Sequence, residues 1–275
     1  MTTRFRSGQG FLAGSLVGSL GGLIGLGGAE FRLPVLVGLF KLGTLEAVIL
    51  NKAMSLVVVV AALIFRIRAI PLGQLTPHLD VVLNLLAGSL VGAWWAAGLA
   101  ITMPRKWLDR IIMVVLAGLS LVMLLEAWFG VKSASVPLFD SIVTQWVVGL
   151  LTGFGIGVVA ALLGVAGGEL LIPAVVLLYG VDIKLAGSLS LVVSLPTMIV
   201  GFARYTRSEA FAVLRQERLL LLWMAAGSIL GAALGGMLLG IVPTHWMMNI
   251  LGVILLISAL KTFQHAHRQK ESECT

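Results

Sequence analysis

The chain has 275 residues, 59% of them apolar and only 11% charged, with a formal net charge of +7. A soluble domain carries charge at roughly a quarter of its positions, so a soluble globular fold, which would have far too little polar surface, is excluded. The single cysteine, Cys274, rules out an intramolecular disulfide and argues against a thiol relay or a cysteine-ligated metal.

The chain opens Met1-Thr2-Thr3-Arg4-Phe5-Arg6 and then turns apolar. A signal peptide would have a shorter apolar region and a cleavage site. This segment runs on and has a counterpart in mid-chain, so it reads as retained structure. Apolar segments follow at 10–28, 31–42, 46–65, 81–103, 107–129, 142–166, 170–181, 185–203, 219–242 and 246–263. Most match the roughly 20 residues that span a bilayer. The segments 31–42 and 170–181 do not, since twelve helical residues rise only about 18 Å against a hydrocarbon core of about 30 Å.

The pattern of long and short segments repeats, and a constant offset of 139 residues aligns the halves without a gap. Gly14 meets Gly153, Gly28 meets Gly167, Glu30 meets Glu169, and Pro34 meets Pro173. Farther on, Ser55 meets Ser194, Arg68 meets Arg207, Ala87-Gly88-Ser89 meets Ala226-Gly227-Ser228, and Trp107 meets Trp246. Leu against Leu would mean little in so apolar a chain, whereas matches of Gly, Glu, Pro and Trp are not explained by composition. The expected architecture is an all-α integral membrane protein of two tandem sequence-related repeats. Each repeat has about four full transmembrane helices plus one short broken or re-entrant helix. The first spans 1–129, a polar linker 130–140, and the second, with a cytoplasmic tail, 141–275.

Two topologies are open. Re-entrant short segments give four crossings per half and parallel repeats; complete crossings give five and inverted repeats. The positive-inside rule sets Arg66 and Arg68 against Arg105, Lys106 and Arg110, nearly a tie, and the shortness of the segments tilts the reading toward four. Both topologies place both termini in the cytoplasm, and the net positive charge fits loops facing anionic lipid.

The first break reads Gly27-Gly28-Ala29-Glu30-Phe31-Arg32-Leu33-Pro34 and the second Ala166-Gly167-Gly168-Glu169-Leu170-Leu171-Ile172-Pro173. Glycine pairs admit unusual dihedrals, and proline suits the first turn of a helix. Each break therefore ends one helix and begins another, and a helix start offers unpaired N–H groups to an anion. Two such breaks at matching positions are the pattern of a transporter's substrate site. The plainer alternative is kinking and close packing.

Glu30 and Glu169 are either proton carriers, as acids deep in a membrane segment suggest, or helix-start residues stabilised by the dipole. Further alternatives are a Glu30–Arg32 pair, or glutamates near a mouth. Lys52 follows Asn51 in an apolar run and has no charged counterpart, since 191 is Leu. It is a counter-charge for an anion, a partner of a glutamate, or a snorkelling lysine. Asn51, Ser55, Ser188, Ser190, Ser194 and Thr197 offer hydrogen bonds to an oxyanion or to a neighbouring helix. The small-residue elements at 87–93 and 226–232 read as packing surfaces, and Trp107 and Trp246 as interfacial anchors.

No metalloprotease, dinucleotide or phosphate-loop motif is present, so neither an enzyme nor a cofactor is expected. The expected partners are a small anionic substrate and the lipid bilayer, without nucleic acid, since no basic stretch is interleaved with aromatics; a homodimer is left open.

The stretches Gly21–Pro34 and Leu163–Pro173, with Asn51–Ser55 and Ser188–Pro196, resemble the TauE/SafE family of sulfite and organosulfonate exporters. Ala29 and Ala166 stand where a triple glycine is more typical. The resemblance covers nearly the whole chain and implies secondary transport of a small anion, sulfite or an organosulfonate, across the cytoplasmic membrane. The breaks and the polar residues beyond them place Gly27, Gly28, Ala29, Pro34, Asn51, Lys52, Ser55, Gly167, Gly168, Pro173, Ser190 and Ser194 as the candidate substrate-binding residues. An acid beside each break would repel a sulfonate unless protonated or paired. An anion channel and a non-transporting assembly factor are the competing expectations.

Overall fold

A computed structural model describes residues 3–24, 28–69, 76–129, 141–237, 249 and 252–257. The long helices are α1 (Thr3–Ile24), α3 (Thr44–Ala69), α4 (Leu79–Thr102), α5 (Arg105–Phe129), α6 (Ile142–Leu163), α8 (Ile183–Tyr205) and α10 (Arg218–Met237). Two short helices, α2 (Ala29–Gly38) and α7 (Gly168–Tyr179), stand at the two breaks, and a single turn, α9 (Val213–Gln216), precedes α10. Among the described residues there is no strand, and four helices are long and apolar enough to cross a membrane, or five if the bent pair ending in α10 is one span. The protein is thus a multi-pass, all-α membrane protein.

The chain divides into two compact units that each draw on both halves of the sequence. Unit 1 comprises Met1–Met54, Ala100–Gly130 and Glu209–Thr275. Its spine is α1 packed along α10. Gly14 and Gly18 press on the backbone of Met224 and Ser228, and Gly227 and Gly231 press back on Phe11 and Ser15. Unit 2 comprises Ser55–Leu99 and Val131–Ser208. There the α6 glycines Gly153 and Gly157 press on Leu85 and Ser89 of α4, while Gly88 and Gly92 press on Leu150 and Phe154. Lipid tails are as apolar as leucine, so helices in a bilayer associate through close van der Waals contact, which small residues permit. That is the role expected of the 87–93 and 226–232 elements. Adding 139 to the α1 residues and subtracting 139 from the α10 residues reproduces their counterparts on α6 and α4 in unit 2.

The core of unit 2 is aliphatic, with Val81, Leu85, Ile156, Leu171, Val175 and Leu189 buried together. In unit 1 the starts of α1, α3 and α5 lie at one end. Arg6 of α1 donates to the carbonyl of Phe40 at 3.3 Å and pairs with Glu217 at 3.0 Å. The Thr44 hydroxyl at the start of α3 donates to the carboxylate of Asp109 on α5. Arg105 and the Gly43–Glu46 turn line one shallow cavity of about 230 Å³ at that end. The segment between α1 and α3 therefore returns to the end at which α1 begins.

Candidate functional site

Both breaks rest on the same backbone device. Gly28 precedes α2 with φ 65° and ψ 26°, and Gly167 precedes α7 with φ 75° and ψ 8°. Left-handed dihedrals carry almost no penalty for glycine and about 1–2 kcal/mol for residues with a Cβ. Neither helix start has a side-chain cap. The short helices also end alike. Lys41, just beyond α2, has φ 56°, and Gly180, which caps α7, has φ 66°. A side chain from the preceding long helix holds each end: Arg6 donates to the Phe40 carbonyl, and Gln145 donates to the Leu178 carbonyl at 2.7 Å.

The prolines correct an expectation. Pro34 is the sixth residue of α2 and Pro173 the sixth of α7, so both lie in the second turn rather than the first. There proline removes the helical donor for the carbonyl four residues earlier, that of Glu30 in one case and Glu169 in the other.

The break in unit 1 is densely charged. Ala29 is buried, and Glu30, Arg32, Asn51 and Lys52 are all 0% exposed. The Asn51 amide donates to the Ala29 carbonyl at 2.9 Å, which fixes α3 against the first residue of α2. Arg32 lies within the field of the Glu30 charge. Fully buried charges are costly unless paired and hydrogen-bonded. Snorkelling of Lys52 to an interface is not what is found, because its side chain is enclosed.

The break in unit 2 carries one acid, Glu169, in the first turn of α7. Gly167 is buried while Gly168, Glu169 and Pro173 are half-buried. Ser55, Ser188, Ser190, Ser194 and Thr197 are all buried. The Ser190 hydroxyl, expected at the substrate, donates to the Gly187 carbonyl of its own helix at 2.9 Å. It is satisfied there because a serine in a helix reaches the carbonyl a turn back. Ser194 keeps an enclosed hydroxyl with no hydrogen-bond partner and is the hydroxyl most available to a ligand. Thr197 shares a hydrogen bond of 2.7 Å with Ser89. Gly27 lies outside the described residues.

Sequence reasoning missed several tethers. Asn84 donates to the Tyr179 hydroxyl at 2.8 Å, and the space for that bond exists because residue 149 is glycine. Tyr205, wholly buried, donates to the Ala161 carbonyl at 3.0 Å. Arg6 and Gln145 occupy equivalent positions under the 139-residue offset, but an arginine facing a glutamine leaves no identity to notice. No cluster of metal-ligating side chains occurs among the described residues.

The sequence model of the family described as Sulfite exporter TauE/SafE matches residues 10–262. The chain belongs to the TauE/SafE family. TauE/SafE proteins are membrane transporters, exporters of sulfur-containing anions, rather than enzymes. No curated protein and no solved structure matches the chain. The TauE/SafE match takes in both breaks and the helices packed on them.

Proposed function

We propose that the protein is a secondary transporter that moves a small anion, sulfite or an organosulfonate, across the cytoplasmic membrane with coupling to protons. The reading is carried by one observation: two short helices at positions 139 residues apart, each entered through a left-handed glycine, Gly28 or Gly167. Residues 1–129 and 141–275 act as repeats joined by the linker 130–140. The return of the segment between α1 and α3 to the starting end favours five traverses per half and hence inverted repeats. Arg6, Lys41, Arg105, Lys106, Arg110, Arg215 and Arg218 belong to the end of unit 1 at which α1 begins. That concentration favours a cytoplasmic location for this end and for both termini.

In this reading each helix start can meet the substrate: Gly27, Gly28 and Ala29 before α2, and Gly167 and Gly168 before α7, supply close backbone approach, and Pro34 and Pro173 loosen the first turns. Lys52 is the counter-charge and Asn51 a donor in unit 1; in unit 2 the hydroxyls of Ser55, Ser190 and Ser194 are the candidate donors. Ser194 donates directly, while Ser190 can do so only by leaving the Gly187 carbonyl. Glu30 is the stronger candidate for the proton carrier, because it is enclosed whereas Glu169 is half-buried; a proton on Glu30 would remove its repulsion of the anion. Neither a cofactor nor nucleic acid takes part. The bilayer is the solvent, and a homodimer is compatible with this function.

The test is flux in proteoliposomes loaded with sulfite, sulfoacetate or taurine. Saturable flux is expected, with Lys52→Met raising the half-saturating concentration and Glu30→Gln flattening the pH dependence more than Glu169→Gln. Flux linear in concentration and indifferent to Gly28→Val and Gly167→Val would sink the proposal. Single-channel openings would replace the carrier by a channel, and a copurifying partner at fixed ratio without flux would indicate an assembly factor.

A further inference from the structure

Unit 2 holds a cationic and aromatic cluster that transport does not use. At the end of α8 the Arg204 guanidinium lies 4.7 Å from the ring centroid of Trp94 on α4, and Arg207 lies 5.8 Å from the same ring. Two guanidiniums on one indole would repel each other unless an anion neutralises them. Among the described residues neither pairs with a carboxylate. Arg204 packs against residue 98, which is glycine: a Cβ there would stand 3.1 Å from its Nε and 3.2 Å from a terminal nitrogen. The Nε is enclosed and has no hydrogen-bond acceptor. A cation over an indole face is held electrostatically, and the terminal N–H groups of Arg204, unlike its Nε, are left to a charged oxygen.

The surroundings specify the source of the oxyanion. Trp94 is 43% exposed, and Val91, Trp95 and Ile199 of the same unit are also exposed large apolar side chains. Both α4 and α8 are long and apolar enough to cross a membrane. Arg204 is the next-to-last residue of its helix, and the end of a spanning helix is where basic residues reach headgroups. A soluble anion would gain nothing from the apolar surface, whereas a phospholipid matches both parts. We infer that Trp94, Arg204 and Arg207 form a binding site for the phosphodiester of an anionic phospholipid, with its acyl chains along Val91, Trp95 and Ile199.

The experiment uses the full chain in neutral detergent, with phosphatidylglycerol, phosphatidylcholine or inorganic phosphate added. Thermal unfolding is followed, and bound lipid is counted by native mass spectrometry. Phosphatidylglycerol should raise the melting temperature and remain bound, and phosphatidylcholine should do so far less. At about 1 kcal/mol for each basic residue at a lipid surface, Arg204→Gln/Arg207→Gln should weaken phosphatidylglycerol binding by roughly 30-fold. Gly98→Ala, which keeps both charges but displaces Arg204, should weaken it by a smaller factor. The pair Arg105→Gln/Lys106→Gln should leave it unchanged. Equal stabilisation by both lipids, or an undiminished phosphatidylglycerol preference in the Arg204 and Gly98 variants, would overturn the assignment. A shift of the same size with inorganic phosphate alone would overturn the lipid as ligand and leave a soluble-anion site.

Discussion

Helix α6 carries three glycines two residues apart that should respond oppositely to the same substitution. Gly153 and Gly157 are buried against α4, and Gly155 is exposed. A Cβ on residue 157 would lie 2.8 Å from the Cα of Ser89 and closer still to its carbonyl, whereas ordinary contact begins at 3.4 Å. The obstacle is backbone, so it cannot swing aside; α4 and α6 must move apart by some tenths of an ångström or more. A gap of 0.5–1 Å forfeits about a quarter to a half of the dispersion energy of the facing atoms. Overpacking of this sort typically costs about 1–3 kcal/mol. Residue 155 has nothing within 4 Å of a Cβ, so Gly155→Ala meets only the helix preference for alanine, a gain of about 0.5–1 kcal/mol. That gain is common to Gly157→Ala and cancels in the comparison. The two variants should therefore differ by about 1–3 kcal/mol, a factor of roughly 5 to 150 in the unfolding equilibrium. Gly153→Ala should behave like Gly157→Ala, since residue 153 meets Leu85 in the same way. The assay is reversible unfolding in mixed micelles titrated with denaturing detergent and followed by circular dichroism. Equal midpoints for the three variants, or a lower midpoint for Gly155→Ala than for Gly157→Ala, would refute close packing of α4 on α6.

Other substitutions probe the breaks. Lys41→Gly should stabilise the protein by up to about 1–2 kcal/mol, because Lys41 pays the left-handed penalty at φ 56° that Gly180 avoids at the matching position; a lower unfolding midpoint would show that the lysine side chain is needed there. Gly167→Ala should cost about 1–2 kcal/mol from its φ of 75°, with the Cβ also 3.1 Å from an Ile156 methyl carbon; an unchanged midpoint would argue against the left-handed start of α7. Asn51→Ala removes the donor to Ala29 and should cost about 1–3 kcal/mol, with faster proteolysis at the break; unaltered stability and cleavage would mean that α2 is held by other contacts.

The order of helices was legible in the sequence because a bilayer admits few solutions: a long apolar stretch must satisfy its own backbone, and only a helix does so within one segment. The breaks were legible for a related reason, since glycine and proline mark the places where that regularity fails. The same residues allowed the chain to be placed near the TauE/SafE exporters before any geometry was known. What the sequence could not decide was which faces meet. The pairing of α1 with α10 and of α4 with α6 joins residues more than 60 positions apart, and nothing local in Gly153 distinguishes it from Gly155. The depth of Lys52 was equally undecided, because a lysine near a segment end either reaches out or is covered, and the neighbouring helices determine which. Burial is a property of the assembled units, so only the tertiary structure could turn Glu30, Arg32, Asn51 and Lys52 from scattered polar residues into one enclosed charged cluster.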